Sequence, residues 1–489
     1  MTNLSTYSEI REHLQFLQDS YKGGYSYKYP SPLVLGTQST VQYIAIDNRV
    51  IKQPGNSYRT YLIPHEGESD AAFSSRLASA TYLNLCEPVV SAYVDSATNA
   101  LNRNLNSLEE KLAYPIDYQG TKYSDFIQQA AKEFAVNGFS FILVTVDENN
   151  LPKYTIIDPT KVAYLLTDDF GELIEFCFIN QSQIVNETKP SIQNLILTRI
   201  TSKEISVLSG QVDTARGYDV SKLNQLSSVT LPESLKGKLP IVIGFYERDT
   251  KSISPLGISL IETQAEIGRK VYNLQSYSYA ILKRHFPQLT YPIKAERGVM
   301  PTEAKLAVGE SVAIPYNSET NAPSFINPSK ESTEALREEC EWLISKAYEE
   351  AKMSRDSSAV PQSGLALRLK SRDFENAVKR FAKQLSEFES SLLELTALML
   401  GVEFNSELMI NDKFSMQDVS ETLQNALTLI SLSNEIDAPQ EVKKELYKFI
   451  LDNALPLQKD KKDKIFAALD KTETAQVVPP KEDIKQWKN

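Results

Sequence analysis

The chain has 489 residues, of which 63 are acidic and 52 basic, so its formal net charge is −11. This balance argues against a surface that clamps nucleic acid through its phosphates, because such binding requires an excess of lysine and arginine. Hydrophobic residues make up 42% and charged residues 24%, a composition typical of a folded protein of about three domains.

Cysteines are few and far apart. Cys86, Cys177 and Cys340 lie in apolar surroundings, which predicts buried free thiols and indicates a reducing cytoplasm rather than a disulfide framework. The N-terminus lacks the pattern of a secretory signal, and no run approaches the roughly 18 apolar residues of a membrane helix. We therefore expect a soluble intracellular product without a membrane partner.

The first 250 residues mix predicted helices and strands, which favours an α+β class. Ser124 is predicted to cap a helix that Gly138 ends, and "FSFILVTV" follows as a buried strand. "DDFGE" at 168–172 resembles the metal-binding tripeptide of kinases, but the glycine loop and catalytic loop of a kinase are absent. Its β-rich flanks predict a hairpin turn instead.

An acidic cluster at 66–70 is the only feature that favours an enzyme. His65, Glu66, Glu68 and Asp70 could hold a metal, and a metal-dependent hydrolase is the resulting alternative. A helix start is the favoured interpretation, because Ser69 or Asp70 makes a good N-cap. Since no nucleophile or metal shell accompanies the cluster, we expect no catalytic, cofactor-binding or metal-binding residues and no enzymatic activity.

Two long helices are predicted around a short strand-and-turn module. The first, 254–286, starts with Ser and Pro and ends before another proline; residues 287–330 are rich in proline, glycine and short β-type runs. The second helix, 330–353, has seven glutamates against four basic residues, a net charge of −3. A solvated face is the simple explanation of that charge.

A third long helix follows a polar segment. Residues 354–364, "SRDSSAVPQSG", are small and polar, whereas 365–400 keep an apolar stripe at helical spacing, with Gly401 as the predicted stop. Its first turns carry Arg368, Lys370 and Arg372. Ordinary ion pairs on the helix surface are the simple explanation of these groups.

Four segments, in this order and spacing, resemble the portal proteins of tailed bacteriophages. They are "YLIPHEGESDAAFSSRLASATYLN", "SPLGISLIETQAEIGRKVYNLQSYSYAILKRHFPQLTYP", "QSGLALRLKSRDFENAVKRFAKQLSEFE" and "INDKFSMQDVSETLQNALTLISLSNEIDAPQEV". The resemblance covers most of residues 55–455. It depends on the order of the four segments along the chain, since no single segment is diagnostic. It implies a portal fold assembled as a ring of about twelve subunits around a DNA channel, although ring size depends on interface angles that no motif encodes.

The resemblance also implies a division of the chain by position. It gives a wing at 1–253, a first stem helix at 254–286, a clip at 287–330, a second stem helix at 331–353, a tunnel loop at 354–364, a long helix and wing return at 365–415, a crown at 416–470 and a mobile tail at 471–489.

Site residues and partners follow from the same resemblance. The tunnel loop and DNA channel would include Ser357, Ser358, Gln362, Ser363, Arg368, Lys370 and Arg372, with Glu334, Glu338 and Glu341 as acidic residues that line the channel. Implied partners are other copies of the chain, non-specifically bound double-stranded DNA, the terminase large subunit, a head–tail adaptor, the major capsid protein and a scaffold protein. The implied location is the virion's capsid vertex, after assembly in the host cytoplasm.

A non-viral helical scaffold is the second alternative, because it could share the long helices. Such a scaffold should be a monomer or a small oligomer, which distinguishes it from a ring of about twelve copies. The strand-and-turn module between the two helices, residues 287–330, favours the portal.

Overall fold

The computed structural model describes residues 4–29, 51–53, 56–58, 60–168, 172–185, 192–213, 220–247, 257–284, 290–293, 314–317, 330–353 and 364–410. The chain separates into two units, 1–414 and 415–489, and every described residue belongs to the first. The predicted crown and tail lie outside the described residues. The described part combines helices with sheets, as the predicted α+β class requires.

The described helices and strands alternate until about residue 245, after which long helices predominate. The helices are α1 (Leu4–Lys22), α2 (Gly24–Lys28), α3 (Asp70–Ser79), α4 (Cys86–Ala100), α5 (Glu109–Leu112), α6 (Tyr123–Asn137), α7 (Glu262–Arg284), α8 (Lys330–Glu350) and α9 (Gly364–Leu400). The strands are β1 (Ile51–Gln53), β2 (Asn56–Tyr58), β3 (Leu101–Asn104), β4 (Phe139–Val146), β5 (Pro152–Ile157), β6 (Val162–Thr167), β7 (Leu173–Ile184), β8 (Ile192–Thr201), β9 (Glu204–Asp213), β10 (Asn224–Thr230), β11 (Ile241–Phe245), β12 (Thr290–Ile293), β13 (Ile314–Asn317) and β14 (Glu407–Ile410).

Two antiparallel sheets form most of the β structure. One has five strands in the order β10-β9-β8-β7-β6, and the other has three in the order β11-β4-β5. The predicted hairpin at 168–172 is confirmed, because β6 pairs with β7 and the Asp168 amide donates to the Glu172 carbonyl at 2.8 Å. The turn residues 169–171 themselves lie outside the described residues.

The passage from α6 to β4 depends on Gly138. Its φ is 78°, and a Cβ at this position would lie 2.5 Å from the backbone of Ile258, so glycine is required both by conformation and by space. The predicted helix end is therefore confirmed. The predicted cap at Ser124 is wrong: α6 begins at Tyr123, and the Ser124 hydroxyl donates to Asp125 instead.

The C-terminal half of α9 passes through the largest hydrophobic cluster. Phe388 stacks on Phe134 of α6, with ring centroids 5.8 Å apart. On its other side, Phe388 covers Gly244 of β11, where an added Cβ would lie 2.4 Å from the ring. The sheet β11-β4-β5 and the helix α6 therefore pack on the apolar face of α9 within one core.

Helix α7 begins later than its sequence predicts. The described residues from 257 to 261 are not helical, because the Ile258 amide donates to the Glu247 carbonyl and the Leu260 amide to the Ala135 carbonyl. These bonds to distant parts of the chain compete with a helical start at residue 254. Helix α9 ends as predicted, at Gly401 with φ 67°, and β14 then pairs with β3.

The three cysteines are buried and free, as predicted. Burial raises the pKa of the Cys86 and Cys177 thiols to about 12, so both are protonated and unreactive near neutral pH. None of the described helices has the length and apolar character needed to cross a membrane.

Candidate functional site: the helical pair and the long helix

Helices α7 and α8 form an antiparallel pair. Leu343, Ile344 and Ala347 of α8 pack with Val271 of α7 in one hydrophobic cluster. The start of α7 lies beside the end of α8, since the side-chain Nε2 of Gln264 donates to the Ala347 carbonyl at 2.9 Å. The strands β12 and β13, which pair in parallel, lie between the two helices in the chain.

Polar contacts attach α7 to the segment before α3 and to α3 itself. The Asn273 side chain accepts a hydrogen bond from the Ile63 amide at 2.8 Å and donates to the Tyr61 carbonyl at 3.1 Å. The Arg76 guanidinium donates to the Ser276 hydroxyl at 2.9 Å. Helix α7, the first helix of the pair, is therefore fixed by hydrogen bonds to earlier parts of the chain.

The acidic cluster at 66–70 has a structural role. Glu68 accepts two hydrogen bonds from the buried guanidinium of Arg76, at 2.9 and 2.7 Å, and a third from the His65 amide. Burial alone would raise the pKa of Glu68, but these donors outweigh it and hold the pKa below its usual range. The Ser69 hydroxyl caps α3 by accepting from the Ala72 amide, so Ser69 is the N-cap.

The outward face of α8 is acidic and includes one large aromatic side chain. Glu334, Glu338 and Glu341 are exposed, and the Arg337 guanidinium donates to the Glu341 carboxylate at 3.1 Å. Trp342 is 55% exposed on the side opposite the packed stripe. This face is available to other molecules. That it lines a channel stays a prediction.

The three predicted basic residues lie in the first turns of α9. Arg368 and Lys370 lie on the helical backbone of α9, and the side chain of Arg372 is exposed. Ser357, Ser358, Gln362 and Ser363 lie outside the described residues. Of the predicted tunnel loop at 354–364, only Gly364, the first residue of α9, is among the described residues.

A buried ion pair in α9 was missed by the sequence interpretation. Glu389 is fully buried, accepts hydrogen bonds from Arg103 at 2.6 and 3.1 Å, and accepts another from the Tyr123 hydroxyl at 2.9 Å. The signal was present in the helical spacing, because Glu389 lies on the same face as Leu385 and Leu392. A carboxylate within an apolar stripe indicates a buried partner.

Among the described residues, no group of three or more His, Cys, Asp or Glu side chains could hold a metal ion. Two largely buried carboxylates are neutralised by arginines, in the pairs Glu68–Arg76 and Glu389–Arg103. Such pairs fix structure and supply no nucleophile. The arrangement of α7, α8 and α9 instead offers long, partly exposed helical surfaces.

No protein-family model matches the chain, and no curated protein matches it. Among solved structures, the chain is similar to a chain of the structure titled "Virion of native gene transfer agent (GTA) particle". The two chains are 11% identical, the TM-score is 0.38, and the match covers 78% of this chain and 89% of that chain.

Proposed function

We propose that this chain is a phage portal protein. Its copies form a ring at the unique capsid vertex, and double-stranded DNA enters and leaves through the central channel. The observation that carries the proposal is the order of described elements: an antiparallel helical pair with a small strand pair between its members, followed by one helix of 37 residues. This order fits a stem, a clip and the helix that follows a tunnel loop.

The negative net charge of the chain favours a channel through which DNA passes over a surface that binds DNA tightly. A channel lined with lysines from every subunit would release many counterions on binding and would retain the DNA. The exposed carboxylates of Glu334, Glu338 and Glu341 would instead repel the phosphates and reduce friction. Arg368, Lys370 and Arg372 would supply a limited number of contacts to the DNA backbone.

The proposal includes no chemical step in this chain. The terminase large subunit supplies the energy of packaging and docks on the clip, after which a head–tail adaptor takes its place. The wing contacts the major capsid protein, and a scaffold protein assists assembly in the host cytoplasm. The protein therefore acts as a structural ring and a docking site, and we propose that it is not an enzyme.

Electron microscopy of the purified full-length protein tests the proposal. End-on views should show rings of about twelve copies with a central hole of roughly 20 Å or more, wide enough for duplex DNA. A matched sample in high salt checks that the rings are not charge-driven aggregates. Monomers or small closed oligomers at high protein concentration would contradict the portal function and favour a helical scaffold.

A further inference from the structure

The two main sheets have four outer strands, and two of these are protected by described residues. Along β5, the Tyr154 amide donates to the Ile116 carbonyl at 2.7 Å and the Lys153 ammonium donates to the Pro115 carbonyl at 2.7 Å. Along β6, the Arg11 guanidinium donates to the Val162 carbonyl at 2.7 Å. The outer strands β10 and β11 remain.

Strand β10 has the character of an unprotected edge. All seven of its residues, "NQLSSVT", are exposed, and none is charged or a proline. Leu226 and Val229 are 60% and 65% exposed. Natural edge strands are usually guarded by charges, prolines or covering segments, because an unguarded edge pairs with another chain.

The hydrogen bonds of β10 show which backbone groups point outward. The Leu231 amide donates to the Lys203 carbonyl at 2.9 Å, and Val229 pairs with Ile205. In an antiparallel ladder, alternate residues bond to the same neighbour. Ser228 therefore turns its N–H and C=O away from β9, and no described strand pairs with that edge.

Strand β11 offers a second edge with the same alternation. The Pro240 carbonyl accepts from Val144 at 2.8 Å, and the Tyr246 amide donates to the Gly138 carbonyl at 2.9 Å. The even-numbered residues thus bond to β4, and Ile243 turns its backbone groups outward. No strand among the described residues pairs with this outer edge of β11.

A groove of about 550 Å³ lies between β11 and α9, and residues 243–247 form its wall on the strand side. The helix presents polar side chains at helical spacing, Arg380, Gln384, Glu387 and Ser391. An extended strand without charges fits this groove, because it would leave Arg380 and Glu387 solvated while its backbone completes the ladder. The sequence of β10 has this chemistry.

We infer that β10 of one copy pairs with β11 of a second copy, so that the five-stranded sheet of one subunit continues into the three-stranded sheet of the next. Two different edges meet in this contact, which makes it heterologous, and a heterologous contact closes into a ring when its rotation permits. The inference rests on the proposed ring and identifies the strands that join its subunits. Within one copy these strands belong to separate sheets.

Proline substitutions at outward positions test the pairing. Ser228→Pro and Ile243→Pro each remove an N–H that points away from the neighbouring strand of the same chain, and proline is tolerated at such edge positions. Circular dichroism and thermal melting establish that each variant folds. We expect each to weaken assembly at least about tenfold, the ratio that corresponds to about 1.4 kcal/mol, whereas Ser228→Ala, which keeps the N–H, assembles as the wild type does.

Cross-linking provides evidence that does not depend on a loss of assembly. A short bismaleimide should link copies of the double variant Ser228→Cys/Ile243→Cys into a ladder of oligomers, because adjacent strands lie within about 5.5 Å. The control Asn149→Cys/Ile243→Cys, with one cysteine at the exposed turn after β4, should give no ladder. The buried native thiols of Cys86, Cys177 and Cys340 should not react, and the wild-type chain treated in the same way checks this.

The outcomes separate the two proposals. Normal rings from both proline variants, without a cross-linked ladder, would overturn the strand pairing and leave the portal function intact. A wild-type chain that stays monomeric would overturn both. Loss of rings in folded proline variants, together with the specific ladder, would support the pairing.

Discussion

Helix α8 and the C-terminal half of α9 differ in how much of their surface the rest of the chain buries. The apolar face of α9 packs on α6 and β11, and Glu389 on that face is fully buried and neutralised by Arg103. Helix α8 buries only the stripe that packs on α7, and it exposes Trp342 among glutamates. The position of α9 is therefore specified by contacts within its own chain, whereas α8 keeps a face for other molecules.

The largest effect should follow from breaking the buried pair of α9. Glu389→Ala leaves the Arg103 guanidinium and the Tyr123 hydroxyl without their acceptor, so we expect the free energy of unfolding to fall by about 3–5 kcal/mol. Glu394→Ala, which removes an exposed carboxylate 3.7 Å from Lys238, should change it by less than about 1 kcal/mol. Equal losses in urea unfolding would contradict the contrast.

A smaller effect is expected where α9 crosses β11. Gly244→Ala places a Cβ against the Phe388 ring, so helix and strand must separate slightly, at a cost of about 1–3 kcal/mol. Phe388→Leu should relieve this clash, so the double variant should be more stable than the sum of the single effects predicts. Strict additivity in thermal unfolding would show that the close approach is not under strain.

The ion pair between Glu68 and Arg76 should make the free energy of unfolding depend on pH. Glu68→Gln should reduce stability by about 1–3 kcal/mol at pH 7, because it weakens the acceptor of a buried arginine. The pKa of Glu68 is lowered in the folded chain, so its contribution is present above the ordinary pKa of 4.5 and is lost as the pH falls through the folded value.

Unfolding measurements between pH 3 and 7 test this dependence, with Glu66→Gln as the control. The wild type should lose more stability on acidification than Glu68→Gln does. Parallel curves for the two proteins would mean that the ion pair with Arg76 does not contribute to the acid sensitivity.

The smallest effect on stability is expected on the outward face of α8. The triple variant Glu334→Gln, Glu338→Gln and Glu341→Gln should remain within about 0.5 kcal/mol of the wild type in urea unfolding, since these side chains are exposed. Assembled rings of the variant should bind duplex DNA more tightly at low salt, because repulsion is removed. Unchanged binding would show that this face does not meet DNA.

Local signals in the sequence predicted several parts of the fold. Gly138 and Gly401 end helices because both positions need a positive φ, and the β-rich flanks of residues 168–172 predicted their hairpin. Each of these features depends on residues that are close in the chain. The apolar stripe of α9 likewise predicted its buried face.

The errors and omissions arise from contacts between distant residues. Helix α7 begins at Glu262 because backbone amides just before it bond to carbonyls outside the helix. One of these bonds joins the Leu260 amide to the carbonyl of Ala135, more than 100 residues earlier in the chain. The partners Arg103 and Glu389 are separated by 286 residues. No local pattern identifies the partner residue in such a pair, and none shows that the outer edges of β10 and β11 pair with no other described strand.

The central claim is that copies of this chain enclose a channel for DNA. A cryo-electron-microscopy reconstruction of the assembled protein tests it most directly, because it shows which elements lie nearest the symmetry axis. The account predicts a ring of about twelve copies, with residues 354–364 and the acidic face of α8 beside a hole of roughly 20 Å or more. An assembly without a central hole, or one that turns both of these elements outward, would contradict it.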